Sequence, residues 1–191
     1  QQLMAAEREI IEEAYAGDII GVFDPGIFSI GDTLCAPGKK FRFDPIPTFA
    51  PEHFKRVRSL DTMKRKQFLK GMEQIAQEGA IQIFKTPYTG MEEVIVGVVG
   101  TLQFDVLEYR LKNEYNVELY MEGLPYEYLR WIETDDGEPV KEEDLILGTD
   151  VKLVEDYKGN QLLLFGSQWA IGWTEERNKN LTFHEFGGTK F

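Results

Sequence analysis

The feature that most constrains the fold of this chain is an alternation between strand-like and helix-like apolar patterns over residues 43–121. Residues 61–79 begin with an aspartate that can cap a helix, carry apolar side chains on one helical face, and end at a glycine. A strongly apolar run at 94–99 predicts a central strand, and a second helical face follows it and ends at Asn116. An extended piece at 45–50, whose prolines suit an edge strand, and strands at 80–84 and 117–121 complete the pattern. The predicted order is therefore strand, helix, strand, strand, helix, strand. The predicted apolar faces are Phe68, Leu69, Met72, Ile75 and Ala76 on the first helix, and Phe104, Leu107, Leu111 and Tyr115 on the second.

This order of elements is that of the ferredoxin-like split βαβ arrangement. Right-handed crossovers place both helices on one face of a four-stranded antiparallel sheet. We therefore predict an α+β protein in which residues 41–132 form a ferredoxin-like core. The other face of that sheet is expected to be free for a partner or for the next segment of the chain.

The segments that flank this core predict different structures. Residues 1–40 contain a few short strand candidates, among them 9–15 and 19–23, separated by turns with Gly and Pro, which is typical of a barrel. Because these strands are too few to close a barrel, we expect this segment to be the end of a barrel domain whose start is missing. Residues 133–191 predict a small α+β extension, with a hairpin over 151–165 and a helix that Ser167 can cap. We expect Trp169, Ile171 and Trp173 of this helix to lie partly inward.

The charge of the chain is unevenly distributed. The net charge is −12, which argues against non-specific binding of nucleic acid by the chain as a whole. Residues 53–70, however, hold seven basic side chains against one acid, and residues 118–156 hold thirteen acids against three bases. The basic stretch is therefore a local feature on an acidic body.

The basic stretch gives the candidate binding residues of this chain. Lys64, Arg65 and Lys66 lie in the first turn of a predicted helix, where positive charge opposes the helix macrodipole by roughly 0.3–1 kcal/mol each. A helix N-terminus with added cations favours the binding of phosphate, but a solvated polar face with salt bridges to the acidic regions explains the same residues. Both interpretations remain open on the sequence. The candidate residues are Lys55, Arg56, Arg58, Lys64, Arg65, Lys66 and Lys70.

Sequence motifs for catalysis and for cofactor binding are absent. There is no phosphate-cradling GxxxxGK[ST] motif, no nucleophile elbow, and no cluster of His and Cys with the spacing of metal ligands. We therefore predict no catalytic, cofactor-binding or metal-binding residue. The chain also has no apolar run long enough to span a membrane, no secretion signal, and a single cysteine, Cys35, so we expect a cytoplasmic protein with no membrane partner.

Several stretches of the chain resemble the C-terminal part of bacterial peptide-chain release factor three, a family of translational GTPases. In the first region EEAYAGDIIG at 12–21 is followed by IGDTL at 30–34. In the second, FAPE at 49–52 is followed by MKRKQFLKG at 63–71 and EGA at 78–80. The third is VGVVGTLQFDVL at 96–107, which continues through RLKNEYNVE at 110–118.

The third region also separates this family from its nearest alternative. It occupies the place of a Gly-x-Gly-Glu-Leu-His-Leu-Glu signature in the third domain of elongation factor G, and it departs from that signature at 102–104. A third-domain fragment of an elongation factor G type or ribosomal protection GTPase is therefore the alternative. Such proteins carry further domains after the third one, and we expect no room for these before residue 191.

The resemblance implies both a domain organisation and a function. Residues 1–40 would be the last strands of the β-barrel domain II, 41–132 the core of domain III, and 133–191 its extension. GTP and Mg²⁺ would bind in an N-terminal domain that this chain is expected to lack. The parent would promote GTP-dependent dissociation of class I release factors, and this region would contact the ribosome. Its partners would be ribosomal RNA, ribosomal proteins and, functionally, class I release factors. The resemblance supplies no individual contact residue, and the basic stretch is the candidate RNA contact on the strength of its charge.

Two other functions of the ferredoxin-like topology are less compatible with these residues. An RNA-binding module of this topology stacks bases on aromatic side chains of its central strands, and the predicted strand at 94–99 has none. A small acyl phosphatase would need an anion-holding arginine loop, which hydrolysis of a model acyl phosphate would test.

Overall fold

The computed structural model describes residues 2–3, 8–25, 27–28, 30–44, 49–87 and 93–185. It has three helices within these residues, together with two 3-10 turns at Thr62–Lys64 and Glu142–Asp144. The helices are α1 (Arg65–Gln77), α2 (Leu102–Tyr115) and α3 (Gln168–Arg177). The strands are β1 (Gln2–Leu3), β2 (Arg8–Glu9), β3 (His53–Ser59), β4 (Gln82–Lys85), β5 (Glu93–Val98), β6 (Leu119–Gly123), β7 (Tyr128–Thr134), β8 (Val151–Asp156), β9 (Gln161–Phe165) and β10 (Leu181–His184).

The strands from β3 onward form one antiparallel sheet in the order β10-β7-β9-β8-β4-β5-β3-β6. Within it, β3 to β6 lie in the spatial order fourth, first, third, second, with α1 and α2 in the two crossovers. This is the ferredoxin-like order, so the predicted fold is confirmed. Its first strand, β3, lies at His53–Ser59, after the predicted extended piece at 45–50, because this proline-free run can donate backbone N–H groups to strands on both sides. The strand predicted as central, β5, lies between β4 and β3.

The helical faces predicted from the sequence form the first core. Phe68, Met72 and Ile75 of α1 and the corresponding residues of α2 pack on the valines of β3 and β5. Burial of each Phe, Leu or Met side chain stabilises the fold by roughly 1.5–3 kcal/mol. Two left-handed residues end the helices as the sequence predicts, Gly79 with φ 74° after α1 and Asn116 with φ 55° after α2.

The C-terminal part of the chain repeats the strand order of the first unit. Strands β7 to β10 again lie in the order fourth, first, third, second, with α3 in the second crossover and the loop 135–150 in place of a first helix. The two units join where β4 pairs with β8, through Phe84 with Asp156 and Lys85 with Glu155. The sequence analysis had no strand at Tyr128–Thr134, and this strand, β7, crosses from the predicted core into the predicted extension.

The face of the first sheet that was expected to be free is covered by the next segment of the chain. Phe54, Phe84 and Ile95 project from that face into a second core, where they meet apolar side chains of the second unit. The sheet must therefore curve so that its two halves bury this face against each other. The partners from the second unit are Leu129, Trp131, Val154, Leu162 and Leu164.

The third core lies under α3. Ser167 caps this helix as predicted, because its Oγ accepts a hydrogen bond of 3.2 Å from the backbone N–H of Ala170. Ala170 and Ile171 point into the core, whereas Trp169, which was expected to lie partly inward, is 72% exposed. The prediction for Trp169 was wrong because the inward stripe of this short helix runs through Ala170, Ile171 and Thr174.

The strands predicted near the N-terminus are largely not formed. Within the described part of residues 10–44, the structure has turns and extended segments and an isolated bridge at Ile20. The predicted strand at 9–15 is reduced to β2, which pairs with β1, and the predicted strand at 19–23 is absent. A barrel strand needs neighbouring strands for its backbone hydrogen bonds, and the described residues offer none to this segment. Residues 45–48, which belong to the predicted extended piece at 45–50, lie outside the described residues, as do residues 26 and 29.

Candidate functional site

The seven candidate residues lie on three different surfaces. Alternation along β3 puts Lys55 on the sheet face that carries α1 and α2, and Arg56 and Arg58 on the opposite face. The remaining four residues lie around the start of α1. The sequence therefore identified a run of charge correctly, but the fold does not gather that charge into a single patch.

Lys55 is engaged in packing. Its Nζ atom lies 4.5 Å from the centre of the Phe104 ring of α2, and the side chain is half-buried. A cation over an aromatic face contributes about 0.5–2 kcal/mol, depending on its exposure. This contact stabilises the packing of α2 on the sheet. It therefore accounts for a lysine at position 55 without a bound ligand.

Arg56 and Arg58 contact their cross-strand neighbours on β6. Arg56 pairs with Glu122 at 3.5 Å, and the guanidinium of Arg58 lies 4.6 Å from the centre of the Tyr120 ring. Both contacts follow from the register, which sets Arg56 opposite Glu122 and Arg58 opposite Tyr120. An exposed ion pair such as that of Arg56 with Glu122 contributes about 0–1 kcal/mol to stability.

Lys64 makes a contact that the sequence did not reveal. Its Nζ atom donates a hydrogen bond of 2.6 Å to the backbone carbonyl of Asn116, the residue that ends α2. A cation at a helix C-terminus is stabilised by the macrodipole of that helix. The cost of a cation at the start of α1 is therefore offset at the end of α2.

Of the seven candidate residues, Lys66 and Lys70 are the most open to a partner, and we call them the lysine surface. Both are exposed on α1, they lie one turn apart at i and i+4, and neither has an ion-pair partner among the described residues. Arg65, at the first position of the helix, is also exposed. Ammonium groups of this kind can neutralise phosphates of a polyanion and release its counterions. Of the seven candidates, these residues have the geometry of a phosphate contact, which stays a prediction.

A cluster of charges fixes the helix that carries this surface. Arg110 of α2 binds Glu114 one turn later at 2.8 Å and also Glu78, which follows α1. These hydrogen bonds raise the pKa of Arg110, with Glu114 as the larger cause, and the hydrogen bond from Arg110 lowers the pKa of Glu114. These two ion pairs of Arg110, which we call the clamp, tie the end of α1 to α2. Sequence analysis missed it because Glu78 and Arg110 are far apart along the chain.

A hydrogen bond and close packing also join α1 and α2 near this clamp. The hydroxyl of Tyr115 donates a hydrogen bond of 2.6 Å to Gln74, and burial raises the pKa of that hydroxyl. Gly71 allows the close approach, since a Cβ atom at this position would lie 2.9 Å from a ring carbon of Tyr115 and still closer to Leu111. The lysine surface is therefore presented by a rigid pair of helices.

Metal ligands and membrane spans are not evident in the part of the chain that the structure describes. There, no group of three or more His, Cys, Asp or Glu side chains could hold a metal ion. No helix there combines the length and apolar character needed to cross a bilayer.

Comparisons with known proteins cover nearly the whole chain. Residues 43–175 match the family model "Class II release factor RF3, C-terminal domain", and residues 1–37 match "Elongation factor G domain 2". Peptide chain release factor 3 of Symbiobacterium thermophilum is 50% identical over 183 residues, which are 96% of this chain and 34% of that relative. The chain belongs to the peptide chain release factor 3 family. The homologues of Gloeobacter violaceus, at 44% over 184 residues, and Listeria monocytogenes, at 44% over 180 residues, cover 96% and 94% of this chain.

The match to release factor 3 also defines which part of the family this chain represents. The chain spans about a third of the length of the curated relatives it matches and corresponds to their C-terminal part. It thus corresponds to the C-terminal region of the proteins of this family. The match of residues 1–37 to a domain 2 model agrees with the sequence prediction that this segment is the end of a translational GTPase barrel domain.

Proposed function

We propose that this chain is the ribosome-binding C-terminal region of a cytoplasmic termination GTPase that promotes GTP-dependent dissociation of class I release factors. The observation that carries this proposal is the similarity to peptide chain release factor 3 over 96% of the chain. GTP and Mg²⁺ would bind in the N-terminal part of the full-length protein. The region described here would contact the ribosome and carry no catalytic group.

The proposed contact with ribosomal RNA is the exposed surface of Lys66 and Lys70, together with Arg65. Exposure of all three and the lack of an ion-pair partner for the two lysines among the described residues support this choice. The acidic remainder of the chain would repel phosphate, so it would restrict binding to this surface and fix the orientation of the chain. Lys55 and Lys64 would act indirectly, by holding the sheet and the two helices in place.

The proposed coupling to the nucleotide state relies on the rigidity of the ferredoxin-like unit. The clamp of Arg110 with Glu78 and Glu114 supports a unit that moves as one body on the ribosome. Residues 1–37, similar to a barrel domain, would connect this unit to the rest of the GTPase. A movement of the barrel would then displace the lysine surface against ribosomal RNA.

Competition in a release-factor dissociation assay tests this function. The full-length protein, GTP and ribosomes that carry a labelled class I release factor are mixed with increasing amounts of this chain. We expect the chain to slow dissociation of the label by occupying the ribosome, and to promote no dissociation when it replaces the full-length protein. A chain that neither binds ribosomes nor slows dissociation at a large excess would contradict the proposal.

A further inference from the structure

Helix α3 carries an aromatic ladder on its outer side, in which Trp169 is exposed and Trp173 is half-buried. Trp169, Trp173 and Arg177 follow one another at i, i+4 and i+8 on its outer side. The two indole rings lie 6.3 Å apart at an angle of 39°, and the guanidinium of Arg177 lies 4.0 Å from the centre of the Trp173 ring. A tryptophan side chain has a large apolar surface, and exposed apolar surface of this kind marks interaction sites.

The core below the helix is complete without the ladder. Ala170, Ile171 and Thr174 fill the inner side, and the hydroxyl of Thr174 donates a hydrogen bond of 2.8 Å to the carbonyl of Ala170. Trp169 therefore contributes little to folding. Its exposure is a cost in water that a binding partner would relieve.

An acidic loop lies in the same layer of the structure as α3. Loop 135–150 packs Val140, Leu145 and Leu147 on the core cluster that also holds Ala170 and Ile171. It carries seven acids against one base, Lys141. The seven acids are Asp135, Asp136, Glu138, Glu142, Glu143, Asp144 and Asp150.

Polar contacts attach this loop to both ends of α3. The side chain of Asn178, at the C-terminal end, donates a hydrogen bond of 3.0 Å to the carbonyl of Ile146 and accepts one of 2.9 Å from its N–H. At the N-terminal end, the hydroxyl of Ser167 lies 3.4 Å from a carboxylate oxygen of Asp150. These contacts attach the acidic loop to both ends of the helix that carries the ladder.

We propose that the ladder and loop 135–150 together form a docking surface for a basic protein segment rich in Lys and Arg. Charge complementarity selects this occupant, since the loop attracts ammonium and guanidinium groups and the indole faces bind them by cation–π contacts. Arg177 already shows this geometry on Trp173, whereas no cation lies over Trp169 among the described residues. The phosphates of RNA would be repelled by the loop, and a second copy of the chain would bring the same acidic loop.

This docking surface is separate from the lysine surface of α1 and does not depend on it. The acidic stretch, which would oppose binding of RNA, becomes the feature that selects a protein partner. Trp169 is expected to be a hot spot, since tryptophan and arginine carry much of the energy at such interfaces.

Tryptophan fluorescence of the whole chain provides the test. The probe is a short synthetic peptide of Lys, Arg and Gly, and Trp131, which is 3% exposed, supplies a constant background signal. We expect the peptide to change the emission of Trp169 and Trp173 with an affinity that falls as salt is added. Trp169→Ala should weaken binding about tenfold and leave the thermal midpoint unchanged.

Two matched controls localise the effect. Tyr109→Ala removes an equally exposed aromatic side chain from α2 and should leave peptide affinity unchanged. Glu142→Gln with Glu143→Gln should weaken binding, whereas the exposed pair Asp105→Asn with Glu108→Gln on α2 should have much less effect.

Four results would overturn the proposal. They are no binding of the peptide, binding that is insensitive to Trp169→Ala, equal or tighter binding of a single-stranded RNA oligonucleotide at the same indoles, and a dimer in sedimentation that Trp169→Ala abolishes. The last two results would assign the surface to RNA or to a second copy of the chain.

Discussion

The ammonium of Lys64, just before α1, donates a hydrogen bond to the backbone carbonyl of Asn116, just after α2. The start of one helix is thereby attached to the end of the other, over a separation of 52 residues along the chain. Both the charge and the hydrogen bond stabilise the open carbonyl end of α2. Lys64, a cation of the basic stretch, therefore has a structural role in joining α1 to α2.

Replacement of Lys64 by Met should lower the free energy of unfolding by about 1 kcal/mol. The variant keeps an unbranched apolar stem but removes the donor and the charge at the end of α2. Lys66→Met is the matched control, since Lys66 is exposed two residues later and should change stability by less than about 0.5 kcal/mol. Urea unfolding of both variants measures the difference, and equal midpoints would contradict the contact.

The first core should respond strongly to truncation. Phe104→Ala and Leu107→Ala should each lower the free energy of unfolding by about 2–5 kcal/mol, because both side chains are buried between α2 and the sheet. Leu102→Ala lies on the same helix but is 71% exposed, and it should cost less than about 0.5 kcal/mol. Denaturant unfolding measures these differences, provided that the dependence of the unfolding free energy on denaturant concentration is the same for all variants. A loss below about 0.5 kcal/mol for Phe104→Ala would mean that the helix faces are assigned wrongly.

Two glycines within helices should respond in opposite directions to alanine. Gly71→Ala should destabilise the chain, because the added methyl group meets Leu111 and Tyr115 of α2. Gly172→Ala should stabilise it by about 0.5–1 kcal/mol, since nothing lies within 4 Å of a Cβ atom there and alanine favours the helix. Thermal midpoints of the two variants compare them directly. A stabilised Gly71→Ala would show that α1 and α2 do not approach closely.

The ferredoxin-like unit was predictable because its signals are local. Apolar residues at helical spacing determined the inner faces of α1 and α2, and Gly79 and Asn116 marked their ends. The prediction of the N-terminal strands failed because strand formation depends on partners that are distant along the chain. Runs such as 19–23 have strand composition, but a strand forms only where neighbouring strands pair with it.

The candidate site was predictable in composition and not in arrangement. The basic run was visible in the sequence, whereas the contact of Lys55 with Phe104 and that of Lys64 with Asn116 join residues about 50 positions apart. Strand alternation then divided Lys55 from Arg56. No local pattern encodes such contacts. The sequence alone therefore could not distinguish cations that make contacts within the fold from cations that are exposed to a partner.

Glu114 should make the stability of the chain depend on pH on the acid side. Its pKa is lowered in the folded state by the hydrogen bond from Arg110, so its contribution is present above the unfolded pKa and is lost as pH falls through the folded pKa. The difference in unfolding free energy between the wild type and Glu114→Gln should therefore be present at neutral pH and fade under acidic conditions. The same substitution in an Arg110→Met background should show no such fading. A difference that is constant with pH in the wild-type background would contradict the role of Arg110.

Ribosome contact through α1 is decided by co-sedimentation of the chain with ribosomes over a series of salt concentrations. We predict that Lys66→Glu with Lys70→Glu weakens binding and makes the plot of log affinity against log salt less steep, by roughly 0.7–0.9 for each phosphate that the chain no longer neutralises. Lys158→Glu with Lys179→Glu makes the same change in net charge at two exposed positions of the second unit and should keep the slope of the wild type. If the α1 pair leaves affinity and slope unchanged across the salt series, these lysines form a solvated helix face and do not contact ribosomal RNA.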